Sequence, residues 1–126
     1  MGFLRDLLFG KKYDGNSHSA LFLIIAPPNF NMFGMVYNLV LQYAESQGFV
    51  LEETENHYLR DFGAGNAAWS LPDDGRLAVN IDDADGSTGV CVVLRCKLSK
   101  DEVVAHVDNM INILKQNAKN AGYEIY

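Results

Sequence analysis

The clearest hydrophobic pattern in the chain is a strict alternation over residues 90–98. Apolar side chains occupy every second position there: Val90, Val92, Leu94, Cys96 and Leu98. Such an alternation is typical of a β-strand that turns one side toward a core. A shorter alternation over residues 76–81 precedes it, and the polar residues 82–88 lie between the two segments. The two segments therefore predict a β-hairpin.

Two longer segments repeat their apolar residues at the spacing of an amphipathic helix. The first spans about residues 30–47, and either Asn29 or Asn31 can cap its start. The second spans about residues 100–121 and opens with a capping-box sequence at Ser99. Both segments end before a glycine, which is a common way for a helix to stop. We therefore expect two helices with one apolar stripe each.

The remaining apolar runs are short and are separated by turn residues, as expected for strands. They lie at residues 21–26, 49–54, 57–62, 66–71 and 123–126. The sequence from Leu71 through Pro72 to Gly75 predicts a turn in which the glycine adopts positive φ.

These elements predict an α+β fold, in the form of a single-domain two-layer sandwich. A mainly antiparallel sheet of about five to six strands carries both amphipathic helices on one face. Residues 1–12 form a short amphipathic N-terminal arm with three basic side chains and one acidic side chain. Residues 13–18 form a polar linker, and residues 19–126 form the single α+β domain.

Composition and charge narrow the functional classes. The chain has 126 residues with 16 acidic and 10 basic side chains, giving a net charge of −6, which disfavours nucleic acid as a partner. No apolar run is long enough to span a bilayer, although the basic arm could contact an anionic membrane surface weakly. Cys91 and Cys96 point to opposite sides of one strand and cannot form a disulfide with each other. Unpaired thiols and the absence of a secretory signal favour a cytoplasmic location.

Two motifs suggest ligand binding but fail on their context. Residues 63–68 fit the glycine pattern of dinucleotide-binding loops, yet Pro72 follows too soon for the helix that would receive the phosphates. Asp82, Asp83 and Asp85 gather carboxylates in one turn, but an EF-hand alignment lacks acidic ligands at both of its ends. The sequence therefore predicts no cofactor and no metal. The three aspartates are expected to be a solvated turn or a docking patch for a partner.

Candidate catalytic groups do not form a recognisable set. Cys91 is the more exposed of the two predicted thiols, and His57 begins a predicted strand beside an acidic residue. His106 is predicted on the polar side of the second helix. No nucleophile, base and orienting group can be named together, so the sequence favours a protein without catalytic activity.

The alternative hypothesis is a small enzyme or a ligand-binding domain. Its pocket would be aromatic and would lie near Phe33, Tyr37 and Trp69, with Cys91 or His57 as the reactive group. Packing in the core or along a groove is the more common role of such aromatic side chains.

The order of a helix, several antiparallel strands and a closing helix over about residues 30–120 resembles that of small acidic secretion-chaperone-like domains of bacteria. The strand near residue 21 and the basic arm are additions to that order. The resemblance is one of topology and implies a bacterial protein that binds a partner.

The leading hypothesis is a non-catalytic, acidic, cytosolic protein-interaction domain that is adaptor-like, chaperone-like or immunity-like. It would bind a protein partner or form a homodimer through its sheet face or its acidic turns. The candidate contact residues are Phe33, Tyr37, Trp69, Asp82, Asp83 and Asp85.

Overall fold

The computed structural model describes residues 14–59 and 64–126, with only the backbone of residues 56–59. The predicted arm at residues 1–12, residues 60–62 of the predicted strand over 57–62, and Gly63 of the turn after it lie outside the described residues. The elements in chain order are β1 (Asn16–Ile24), α1 (Phe30–Ser46), β2 (Thr54–Leu59), β3 (Ala64–Ser70), a 3₁₀ turn (Pro72–Asp74), β4 (Arg76–Ala84), β5 (Ser87–Cys96) and α2 (Lys100–Asn120).

The described strands form one antiparallel sheet in the order β1-β5-β4-β3-β2, with β4 in its centre. Both helices pack on the same face, because the buried residues of all strands but β2 form one cluster with those of α1 and α2. The predicted α+β two-layer sandwich with two helices is confirmed. None of the helices within the described ranges is long and apolar enough to cross a bilayer.

The β4–β5 hairpin closes more tightly than the sequence predicts. Its turn consists of Asp85 and Gly86, which have φ of 52° and 88°, and Ala84 pairs directly with Ser87. Two consecutive residues with positive φ are the signature of the turn that matches the twist of a hairpin. As a result Asp82 and Asp83 belong to β4, although the sequence places them in the turn.

Local signals position both helices as expected. The Asn29 side chain accepts a hydrogen bond from the Met32 amide at 2.8 Å, so Asn29, and not Asn31, is the N-cap of α1. At α2, the Ser99 hydroxyl accepts from the Glu102 amide and donates to the Glu102 carboxylate. The Glu102 carboxylate thus accepts its hydrogen bond from the Ser99 hydroxyl, and not from the Ser99 backbone amide as in the usual capping box.

Two segments differ from the predicted strands. β1 begins at Asn16, so residues 16–18 of the predicted linker belong to the sheet. Residues 49–53 are outside any strand, although Glu52 and Glu53 exchange backbone hydrogen bonds with Ser70 at 2.8 and 3.1 Å.

The turn before β4 corrects a conformational prediction. Positive φ occurs at Asp73 and Asp74, whereas Gly75 has φ of −66°. A Cβ atom on Gly75 would lie 3.0 Å from both the Arg95 carbonyl oxygen and the Leu71 Cβ atom. Glycine is therefore required there by close packing against β5 and not by its backbone conformation.

The outer edge of β1 is occupied near both of its ends. The Lys100 ammonium group donates to the Ser17 carbonyl. The chain after α2 returns to the other end, where Ile25 donates to the Glu124 carbonyl and Tyr126 donates to the Leu23 carbonyl. Groups that cover an edge prevent further strands from adding to it. Addition of a strand is therefore hindered at these two ends of β1.

Candidate functional site

No described helix or strand packs on the face of the sheet opposite the helices. On β1, β4 and β5, the residues that point to this side alternate with the buried core residues. The register extends this side to β3, where Ala68 is itself buried. We call this surface the open face. It comprises Ser17, Ser19, Leu21 and Leu23 of β1, Gly89, Cys91, Val93 and Arg95 of β5, Arg76, Ala78, Asn80 and Asp82 of β4, and Asn66, Ala68 and Ser70 of β3.

Small uncharged side chains fill the centre of the open face. The register forms two neighbouring cross-strand rows, Ser19–Val93–Ala78–Ala68 and Leu21–Cys91–Asn80–Asn66. A sheet face that meets only water normally carries polar and charged residues at its outward positions. Leu21 is nevertheless 68% exposed, which is unusual for a large apolar side chain in a strand. The composition of these rows suits contact with another surface.

Charged groups of the open face lie at the ends of its strands. Arg76 and Arg95 lie directly opposite each other at one end, where two like charges repel. Arg76 contacts the Glu55 carboxylate at 3.5 Å, and the Arg95 Nε donates to the Asp74 carbonyl at 3.2 Å. At the other end, Asp82 is exposed. Two arginines and the Glu55 carboxylate therefore lie at one end of the open face, and the Asp82 carboxylate lies at the other end of β4.

The three aspartates of the predicted docking patch do not converge. Asp82 points to the open face, Asp83 points to the opposite side of the same strand, and Asp85 lies in the turn. The Asp83 carboxylate accepts a long hydrogen bond of 3.4 Å from the Gly86 amide. All three side chains are exposed. Only Asp82 is placed to contact a partner on the open face.

The predicted positions of the two cysteines are confirmed. Both are free thiols, and Cys96 is buried while Cys91 is half-buried on the open face. Burial raises the pKa of the Cys91 thiol above its ordinary value, and the Asp82 carboxylate raises this pKa further. A raised pKa lowers the fraction of thiolate at neutral pH, which is the opposite of nucleophile activation.

Phe33, Tyr37 and Trp69 lie together, as the sequence suggested. The rings of Phe33 and Tyr37 are 6.4 Å apart, and those of Tyr37 and Trp69 are 5.2 Å apart. Phe33 and Trp69 are buried, and Tyr37 is half-buried. The cluster joins α1 to β3. The binding role of these residues stays a prediction, as does the role of His57, whose side chain lies outside the described residues.

A cleft of about 480 Å³ lies at the other end of the helix layer. Its apolar walls include Phe49, Leu71 and Leu98, and His106 is among its polar residues. The His106 Nδ1 atom lies 2.9 Å from the Tyr43 hydroxyl. The His106 ring also contacts the Phe49 ring edge to face, with centroids 5.1 Å apart. His106 thus links the two helices and is half-buried, although the sequence placed it on the polar side of α2.

Sequence reasoning missed this cleft because its walls come from four separate segments. One signal was present: His106 lies three residues after Val103 and four before Met110, so it borders the apolar stripe of α2. The partner Tyr43 belongs to the stripe of α1. Only the packing of one helix beside the other brings the two side chains within hydrogen-bonding distance.

Within the described ranges, no group of three or more His, Cys, Asp and Glu side chains could hold a metal ion. Comparison with protein-family models and with curated proteins gives no match. The chemistry of the surface is therefore the basis for assigning a function.

Proposed function

We propose that this chain is a non-catalytic protein-interaction domain, in the manner of a small adaptor, chaperone or immunity protein, whose protein partner packs on the open face. The observation that supports this most directly is the continuous band of small uncharged side chains across four strands. Half-buried Val93 and Cys91 and strongly exposed Leu21 would lose contact with water in a complex. Burial of such surface is the main favourable term in protein association.

The flatness of the open face also favours a protein over a small molecule. Small ligands bind in concave sites that enclose most of their surface. Apart from Leu21, the central side chains of the open face are Ser, Ala, Val, Cys and Asn, which extend little above the sheet. The recess beside Ser19 and Val93 has a volume of about 290 Å³, which is at the lower limit for a ligand pocket. Such a surface suits a broad partner. The occupied ends of the β1 edge agree with docking on the face.

Site-specific photo-cross-linking tests this proposal. A benzophenone amino acid replaces Ser19, which is exposed on the open face, or Asn112, which is exposed on α2 as a matched control. Irradiation of cells that produce the full chain is expected to give an adduct with a protein from position 19 and none from position 112. Introduction of Val93→Arg into the same open face is expected to abolish the adduct.

Three results would contradict the proposal. The first is no adduct from position 19, and the second is an adduct of equal yield from position 112. The third is a cross-link from position 19 only to residues 1–13 of the same chain, identified by peptide mass spectrometry. A specific adduct with either a second copy or a different protein supports the proposal.

A further inference from the structure

We infer that the open face binds a second copy of this chain, with the two sheets packed face to face about a two-fold axis that runs across the strands at the level of Val79. This inference rests on the proposed function, since it names the partner of the same surface. It follows from three properties of the face: the position of its charges, the sizes of its side chains and its area.

Because β4 is the central strand, its charges decide the direction of the two-fold axis. β4 is the central strand, so either two-fold axis lying in the plane between two stacked sheets keeps β4 over the partner's β4. An axis along the strands would put Arg76 over a second Arg76 and Asp82 over a second Asp82. An axis across the strands reverses the direction of the partner and puts Arg76 over Asp82 twice. Opposite charges stabilise this second arrangement, and like charges oppose the first.

The geometry permits this pairing. Arg76 and Asp82 each lie three residues from Val79, which is about 10 Å along a strand. Stacked sheets are rotated by about 30° relative to each other, which displaces groups at this distance by roughly 5 Å. A long arginine side chain can span such a displacement. Arg76 is half-exposed and shares its charge with Glu55 at the surface, so it is accessible to a partner.

Side-chain sizes match about the same axis. The row Ala20–Val92–Val79–Ala67 points to the helices and marks the axis on each strand. On β1, the axis places Leu21 over the partner's Ser19. On β5, it places Arg95 over the partner's Gly89, which has no side chain. Large groups thus meet small ones, which is the self-complementarity that a symmetric interface requires.

The area of the open face is sufficient for a dimer. The four strands of the open face, with seven to ten residues each, give an area of roughly 500–600 Å² at the usual strand spacing and rise. Two such faces bury about 1,000–1,200 Å² in total, which is at the low end of specific interfaces. We therefore expect a dimer that dissociates measurably in a micromolar concentration series.

Charge reversal at the two ends of β4 tests the geometry. Sedimentation of the full chain is measured for the wild type, Arg76→Glu and Asp82→Lys, with Lys119→Glu on α2 as a control. Each open-face variant is expected to raise the dimer dissociation constant at least about tenfold, because it creates two like-charge contacts per dimer. The control is expected to associate like the wild type. Thermal unfolding followed by circular dichroism verifies that each variant is folded.

The decisive measurement is a mixture of the two variants. Arg76→Glu and Asp82→Lys are expected to form a heterodimer of near wild-type affinity, since both contacts then join opposite charges. Combining both substitutions in one chain is expected to restore the homodimer. Tighter association of Arg76→Glu with the wild type than of the wild type with itself would show the axis along the strands, since only that axis improves on the wild-type contacts, and it would overturn the inference. Unchanged association of both variants would overturn it too.

A monomeric wild type also overturns the inference, and the cross-linking experiment then separates the two proposals. An adduct of position 19 with a different protein would leave the interaction domain supported without the dimer. The absence of any such adduct would remove both. An adduct of twice the chain mass, lost in Arg76→Glu and recovered in the mixed variants, supports both together.

Discussion

The two faces of the sheet are made from the same strands, yet alternate residues give them different chemistry. On β5, Val92 is fully buried against the helices, and its neighbour Val93 is half-buried on the open face. The same valine side chain thus belongs to a core in one case and to an outer surface in the other. Backbone pairing is common to both faces, so the difference lies in what covers the side chains. Paired substitutions on the two faces measure that difference.

Shortening a leucine on each face should give the largest contrast. Leu94 is fully buried, and Leu94→Ala is expected to lower the free energy of unfolding by about 2–5 kcal/mol, because it leaves a cavity. Leu21 is 68% exposed, and Leu21→Ala is expected to change this free energy by less than about 0.5 kcal/mol. Urea unfolding at a concentration where the chain is monomeric measures both. Equal losses would show that the open face is covered within a single chain.

A polar substitution of nearly constant shape should give a smaller contrast. Val92→Thr places a hydroxyl among buried apolar groups and is expected to cost about 1–3 kcal/mol of unfolding free energy. Val93→Thr places the same hydroxyl on the open face and is expected to cost no more than about 0.5 kcal/mol. Both residues keep a branched Cβ in a strand, so strand propensity cancels. The comparison fails if Val93→Thr costs as much as Val92→Thr.

The reactivity of Cys91 should show the smallest effect. Because its pKa is raised, the thiol stays protonated to higher pH in the folded chain than in the unfolded chain. The stability that this contributes is complete below the ordinary thiol pKa and is lost as the pH rises through the folded value. At pH 8, an aromatic disulfide reagent is expected to label Cys91 more slowly than free glutathione. Peptide mass spectrometry identifies the labelled thiol.

Two isosteric variants of β4 distinguish the causes of this slow labelling. Asp82→Asn removes the carboxylate beside Cys91 and is expected to accelerate labelling only a few-fold, since burial is the larger cause. Asp83→Asn lies on the other side of the strand and is expected to leave the rate unchanged. Labelling of wild-type Cys91 faster than glutathione would instead support the alternative hypothesis of a reactive cysteine.

The parts of the fold that follow from short-range rules were predicted well. The alternation over residues 90–98, the cap at Asn29 and the capping sequence at Ser99 each depend on residues within one turn or one strand. Residues close by along the chain are enough to complete each cap or alternation. Where two local solutions were possible, as with Asn29 and Asn31, the sequence left the choice open.

Predictions that depended on distant segments were less successful. Gly75 was assigned positive φ from its turn sequence, but contact with β5 determines why glycine is needed there. His106 was assigned to the polar side of its helix, but its hydrogen-bonding partner Tyr43 lies 63 residues earlier. The aspartates of the hairpin were predicted as one patch, and the pleat of β4 separates Asp82 from Asp83.

By itself, the sequence determined which segments become helices and strands and which side of each is apolar, because periodicity and capping act between near neighbours. Only the tertiary structure decided that β4 is the central strand, that Arg76 and Asp82 lie at opposite ends of the open face, and that His106 meets Tyr43. These relations join segments that lie far apart along the chain. Packing of the whole sheet against both helices fixes them, and no local pattern encodes that packing.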